Sequence, residues 1–298
     1  MSGFKSGYVG IVGRPNVGKS TLLNTMLGQK ISIISAKPQT TRNKILAIMT
    51  ENDSQVVFLD TPGFHTPRTK LGENMIKAVN ATIDEVDMLL MVIEPKTEIS
   101  PNEQKILEKI GDIPAILVIN KIDTVKKEEL LSVAKAYSEA HNFKEVVFVS
   151  AKSGNGVKLL KDIIWQNISE GPMYYPEDMI TDQQERQIVA EIIREKMLHL
   201  LDKEVPHGIA IEIVKMKQRQ KGDDTIYDIS ANIYCEKVSH KGIIIGAGGK
   251  TLKTIGTSAR IECEKLLDAK IFLELWVKVK ADWRNSNNSL REFGLDEI

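Results

Sequence analysis

Lys19 and Ser20 end the run Gly13-Arg14-Pro15-Asn16-Val17-Gly18-Lys19-Ser20, a spacing of glycine, cation and hydroxyl that fits a chain of phosphates. Two glycines let successive backbone N–H groups turn inward onto phosphate oxygens. The Lys19 ammonium would lie between the β- and γ-phosphates, and the Ser20 hydroxyl would complete the shell of a magnesium ion, with Thr21 following in the same binding set. Three more segments supply the rest of such a site. Asp60-Thr61-Pro62-Gly63 offers a carboxylate for a magnesium-bound water at Asp60 and a backbone N–H for the γ-phosphate at Gly63. Asn120-Lys121-Ile122-Asp123 separates guanine from adenine, because Asp123 accepts from N1–H and the N2 amine together and adenine has neither donor. Ser150-Ala151-Lys152 would present the Ala151 N–H to guanine O6, and the stems of Lys121 and Lys152 would cover the two faces of the base.

These groups act together only if the chain delivers them to one edge. Each follows an apolar run: residues 8–12 precede the phosphate loop, 56–59 precede Asp60, 115–119 precede Asn120, and 146–149 precede Ser150. Runs of that length read as buried parallel strands, and ligands bind beyond the carboxyl ends of such strands. The ordered set resembles the guanine-nucleotide-binding domain of the P-loop GTPases over residues 1–172. The resemblance implies an α/β domain with a mostly parallel six-stranded sheet. It also implies a switch threonine within Pro38-Gln39-Thr40-Thr41-Arg42, assigned to Thr41 as the second protein ligand of magnesium, with Thr40 as the alternative. Lys19, Thr41 and Gly63 are then the groups expected to act on the γ-phosphate.

Two departures from the small signalling GTPases carry information. The glutamine that orients the attacking water in those proteins is replaced by Phe64, whose ring cannot align water, so slow intrinsic turnover is expected. Asn16 occupies the position that translation-associated GTPases use to help bind potassium beside the phosphates, and potassium is expected to stimulate hydrolysis.

The 298 residues are 42% hydrophobic and 27% charged, which excludes disordered and fibrous classes and favours two domains over one. The longest apolar runs, such as 88–93, fall far short of the roughly 20 residues a bilayer span needs. The first six residues lack the apolar core of a secretory signal, so cytosolic residence is expected. Cys235 and Cys263 are the only cysteines and read as reduced thiols; the five histidines form no ligand cluster. Prolines and glycine at 171–176 mark a linker, placed at 173–180, and Thr181 with Gln184 reads as a capping box opening a helix.

Beyond it, strands at 209–215 and 227–236 flank a charged turn. Gly246-Ala247-Gly248-Gly249-Lys250, preceded by Ile244 and Ile245 and followed by a helix bearing Lys253, puts no side chain between backbone and ligand. A single-stranded nucleic acid can lay its sugar-phosphate chain there, with its bases in an apolar groove. Residues 181–298 resemble the KH module of the α+β type II arrangement. Lys+Arg and Asp+Glu are 40 each overall, yet residues 215–260 hold nine basic side chains against four acidic, a local basic face. Phe272 and Trp276 share a face of the last strand with Lys278 and Lys280 and could stack bases there, but packing against the GTPase domain is the favoured expectation. A GTPase domain followed by a KH module resembles a family of bacterial ribosome-assembly GTPases. That resemblance implies binding of the 3′ end of 16S rRNA on the 30S subunit, GTP and GDP with magnesium as ligands, a monomer, and a cytoplasmic protein partly peripheral at the inner membrane.

Overall fold

In the computed structural model, which describes residues 3–51, 53–222 and 224–296, the runs read as strands are strands. The first eleven elements are β1 (Lys5–Val12), α1 (Lys19–Leu27), β2 (Ile45–Glu51), β3 (Ser54–Asp60), α2 (Lys70–Glu85), β4 (Met88–Ile93), α3 (Pro101–Ile110), β5 (Ala115–Ile119), α4 (Lys127–Ala140), β6 (Glu145–Phe148) and α5 (Val157–Asn167). They build one sheet in the order β2-β3-β1-β4-β5-β6, with only the β2–β3 pairing antiparallel. The expected mostly parallel six-stranded sheet is therefore present.

The continuous apolar character of β4 follows from helices on both faces. Met88, Leu90 and Val92 join a core with Leu22, Leu23 and Met26 of α1 and Leu160 and Ile164 of α5. Leu89, Met91 and Ile93 join the opposite core with Val79 and Ile83 of α2, Ile106 and Ile110 of α3, and Val133 and Tyr137 of α4. Strand order reverses between β3-β1 and β4-β5, and the loops after β1, β3, β5 and β6 converge at that carboxyl edge.

The chain divides into two compact units at Asp182/Gln183, with residues 69–71 grouped with the second. Residues 174–181 are bound to the first unit: Gln55 Oε1 accepts from the Tyr174 and Tyr175 amides at 2.9 and 3.0 Å, and Ile180 O accepts from Ile48 N at 2.9 Å. The Thr181 hydroxyl donates to Leu46 O at 2.7 Å. It is therefore spent on the sheet, and the expected Thr181 cap is corrected: the capping box is formed by Gln184 and Gln187.

The second unit runs through α6 (Glu185–Leu200), β7 (Ala210–Lys221), β8 (Asp224–Cys235), α7 (Val238–Ile245), α8 (Lys250–Leu267), β9 (Lys270–Val279) and α9 (Asn287–Glu292). Its sheet has the order β7-β8-β9, antiparallel then parallel. Val189, Ile193 and Met197 of α6 and Ile255, Ala259 and Cys263 of α8 bury one sheet face against Ile229, Ala231, Ile233, Ile271 and Val277. Both cysteines are free and buried. The aromatic that packs is Trp283, fully buried with its indole N–H donated to Gly208 O at 2.9 Å. Phe272 and Trp276 instead stand exposed, because alternation along β9 gives the core positions to Ile271 and Val277.

Candidate functional sites

The loop after β1 wraps the amino end of α1, and Lys19, only 6% exposed, donates to the loop carbonyls of Gly13 and Arg14 at 3.2 and 3.1 Å. Burial pushes its ammonium down to about 8, against the charge of Asp60, which acts in the opposite sense. At the end of β3, Asp60 is fully buried, and its Oδ2 accepts from the Ser20 and Ser32 hydroxyls at 2.7 and 3.2 Å. Its Oδ1 is buried without a hydrogen-bond partner. Burial raises the carboxyl above its usual range, although the Lys19 charge and the serine hydroxyls pull the other way.

The Thr41 hydroxyl lies 3.0 Å from Ser20 Oγ, whereas Thr40 turns away to donate to Lys37 O at 2.6 Å. The Ser20 hydroxyl thus meets both the Thr41 hydroxyl and Asp60 Oδ2, and the same carboxylate keeps one buried oxygen without a partner, an oxygen-rich set that fits a hard divalent cation. Thr61 is held by its hydroxyl on Ile11 O at 2.7 Å, and the Phe64 amide donates to Gly13 O at 3.0 Å. Gly63 then passes so near the phosphate loop that an added Cβ would lie 2.6 Å from the Pro15 backbone. Phe64 is 4% exposed and packs within the apolar core. A cleft of about 310 Å³ runs past Pro15, Asn16, Gly18, Lys19, Ser20, Thr21, Thr41, Gly63 and Lys121.

The base loops are tied to the phosphate loop. Asn120 donates from Nδ2 to Val17 O at 2.8 Å and accepts the Ala151 N–H on Oδ1 at 2.9 Å, while Thr25 of α1 holds Ala151 O at 2.8 Å. The Ala151 N–H, expected to face guanine O6, is therefore already donated to Asn120. Lys121 Nζ reaches Asn16 O at 2.6 Å and Glu94 Oε1 at 2.5 Å. Asp123 is exposed two residues beyond Lys121 of the cleft, with its carboxyl held below the usual range by the neighbouring Ser150 hydroxyl first and by the charges of Lys152 and Lys121. Ser150 Oγ lies buried without meeting hydrogen-bond geometry to any group, so its influence there is that of a nearby dipole. Lys152 is exposed.

Behind the loop, Arg14 Nε lies 3.0 Å from Glu103 Oε1, a carboxylate 3% exposed, although its N–H is not aimed at a partner. Glu103 also closes the capping box of α3 with Ser100, and it adds to the burial that raises the Tyr137 phenol.

In the second unit, the turn after α7 carries Gly246, Gly248 and Gly249 at φ of 72°, 57° and 77°. An added Cβ at Gly246 would meet Thr251 Oγ1 at 2.2 Å, while at Gly248 and Gly249 it would meet nothing within 4 Å. The first glycine closes the turn, and the other two leave open space above backbone. A groove of about 380 Å³ leads away from Gly249 between α8 and β9, with Leu252, Gly256, Leu273 and Leu275 along it and Lys253, Thr257 and Arg260 beside them. Ala247, Lys250 and Lys253 sit at or next to the turn as expected, and Ile245 is partly buried. The expectation for Ile244 is corrected: it is fully buried in the core and supports the turn from beneath.

Sequence reasoning missed Gly256 and Thr257 and placed Arg260 only within the local basic face, although all three recur at helical spacing with Leu252 and Lys253 and were legible as one face of α8. Ser32 and Glu94 belong to no motif and left no signal.

The amino-terminal unit matches the family described as 50S ribosome-binding GTPase over residues 8–121, and residues 204–284 match the KH domain. Fold and sites together define a GTPase that carries an RNA-binding KH domain. GTPase Era of Clostridium novyi is 55% identical over 296 residues, spanning 99% of this chain and all of that one. GTPase Era of Clostridioides difficile is 52% identical, spanning 99% of each. The chain belongs to the Era GTPase family. Its structure is similar to Era in complex with MgGDPNP and nucleotides 1506–1542 of 16S ribosomal RNA (TM-score 0.95, 39% identity, 99% of this chain and 100% of that one). A substituted Aquifex aeolicus Era bound to GDP and aluminium fluoride is also similar (TM-score 0.93, 40% identity, 98% and 100%). Among the described residues no helix is long and apolar enough to cross a membrane.

Proposed function

We propose that this GTPase is a nucleotide-driven switch that grips the 3′ end of 16S rRNA and assists maturation of the 30S subunit. The observation that carries the reading is the open Gly248-Gly249 backbone at the head of the α8–β9 groove, in a chain alike from end to end to one that holds that RNA. Unpaired bases would enter the groove while Gly246 to Lys250 and Lys253 hold the backbone.

In the nucleotide site, Gly13 to Thr21 wrap the phosphates, with Lys19 drawn from its loop carbonyls onto the β- and γ-oxygens. Ser20 and Thr41, with Asp60 through water, would hold magnesium, which when bound neutralises charge on the β- and γ-phosphates. The Gly63 N–H faces the γ-phosphate, and Thr61, Pro62 and Phe64 fix the segment that carries it. Asp123 reads the guanine edge, Lys121 and Lys152 cover its faces, and Asn120 with Ser150 and Ala151 keeps the two base loops in register. Loss of the γ-phosphate releases Thr41 and Gly63 and so changes the ordered state of the switch segments. Residence in the cytoplasm as a monomer, with peripheral contact at the inner membrane, belongs to the same proposal and is supported by the family resemblance.

The test is fluorescence anisotropy with an oligoribonucleotide of the 16S 3′ end. The expected result is severalfold tighter binding with a GTP analogue than with GDP; equal affinity overturns the switch, and no binding in either state overturns the RNA assignment.

The Asn16 amide donates to Ala36 O at 2.7 Å, which leaves its side-chain oxygen for a monovalent cation beside the phosphates. Hydrolysis is therefore expected to run at least several times faster in potassium than in sodium at equal ionic strength, in place of an arginine finger's charge. Equal rates in the two salts remove the cation from the site.

A further inference from the structure

We propose that Glu94 is a positioning residue for guanine-nucleotide retention, acting by clamping the Lys121 ammonium against the phosphate loop. The inference rests on the reading of Lys121 as the residue that covers the base. Glu94 follows the last residue of β4, where Ile93 pairs with Ile119 and accepts the Asn120 amide at 2.9 Å. The sheet itself thus sets the carboxylate beside the base loop.

Glu94 Oε1 lies 2.5 Å from Lys121 Nζ, and its other oxygen lies 3.5 Å from Lys96 Nζ and 3.8 Å from the Arg14 guanidinium. Lys121 Nζ also donates to Asn16 O at 2.6 Å, so the ammonium is held between a carboxylate from the β4 loop and a carbonyl of the phosphate loop. Its backbone is fixed as well, at a φ of 60°. A lysine stem has four rotatable bonds and lies over a base only if its head is anchored. Two anchors, from the phosphate loop and from the end of β4, set that path before any ligand arrives.

The carboxylate is ionised at neutral pH. Burial pulls its proton affinity up, but the hydrogen bond and charge of Lys121, with Lys96, outweigh that and leave it below the usual range. Without Glu94 the ammonium keeps only the neutral Asn16 carbonyl, and the charge-assisted hydrogen bond that fixed it is gone. The base loses a preordered cover while Lys19, Ser20 and Thr41 stay in place. The effect therefore falls on nucleotide residence and not on the bond-breaking step.

The experiment measures release of a fluorescent GDP from the full chain by stopped flow, for Glu94→Ala, the isosteric Glu94→Gln, Lys121→Ala and the double variant Glu94→Ala/Lys121→Ala. Glu94→Ala is expected to speed release roughly tenfold, the loss of one charge-assisted hydrogen bond, and Glu94→Gln by less. The KM for GTP should rise with kcat held within about twofold. In the Lys121→Ala background, Glu94→Ala should add nothing. If Lys121→Ala speeds release and neither Glu94 variant does, the clamp is wrong. An undiminished Glu94→Ala effect in the double variant also overturns it. If Lys121→Ala itself leaves release unchanged, the base-loop reading fails and the clamp fails with it.

Discussion

The Asp123→Asn variant is expected to lose GTP and gain xanthosine triphosphate. Asp123 stands exposed as a carboxylate kept ionised by the Ser150 dipole and the charges of Lys152 and Lys121. It can accept from guanine N1–H and N2–H₂ without first giving up a proton. An asparagine amide places an N–H against the N2 amine, and two donors then face each other. Xanthine carries an oxygen at that position and accepts the same N–H. A site built to hydrogen-bond one edge rejects the wrong edge by on the order of thousands-fold, so the preference between the two triphosphates should invert in a competition assay. Because the side chain is exposed and supports no core contact, the variant should melt with the wild-type protein. Unchanged preference in a folded variant means that Asp123 does not read the base.

The nucleotide site was legible because its chemistry sits at fixed points, the ends of four apolar runs, and backbone geometry does the rest. Asp60, Asn120 and Ser150 needed only strand ends to be found. Lys217 and Arg219 were harder: the strands were read only over 209–215 and 227–236, yet β7 and β8 stay paired as far as Lys221 and Asp224. Polar residues are compatible with a strand whose second face meets water. The groove beside Gly249 was half hidden, since α8 shows its face by periodicity but Leu273 and Leu275 come from β9, whose register no local pattern gives. Ile244 misled for the opposite reason, because nearness in sequence to a binding turn says nothing about which side of α7 a residue takes. Glu94 illustrates the limit most clearly. One carboxylate after a strand draws no notice until the neighbouring strand, β5, proves to lead into Lys121.

Gly248→Asp is expected to weaken RNA binding about 100-fold while leaving the KH unit folded, whereas Gly246→Ala is expected to act first on the stability of that unit. At Gly248 an added side chain meets nothing within 4 Å, and aspartate is among the residues that best tolerate a φ of 57°. The cost to folding is about 1 kcal/mol, the usual penalty for a side chain in the left-handed region. With RNA on the proposed path, however, the same carboxylate would stand in the way of the sugar-phosphate chain and set a negative charge against a phosphate. Steric exclusion and repulsion add, so affinity for the 16S 3′-end oligonucleotide should fall about 100-fold, a loss of two decades that anisotropy resolves easily. Gly248→Ala lacks the charge and should lose much less. At Gly246 the new methyl would lie 2.2 Å from the Thr251 hydroxyl at a φ of 72°, so Gly246→Ala should lower the melting temperature and loosen the start of α8. A Gly248→Asp protein that binds the oligonucleotide like wild type would show that RNA does not run over this turn. The pair of variants thus separates a glycine that shapes the backbone from one that leaves room for a ligand.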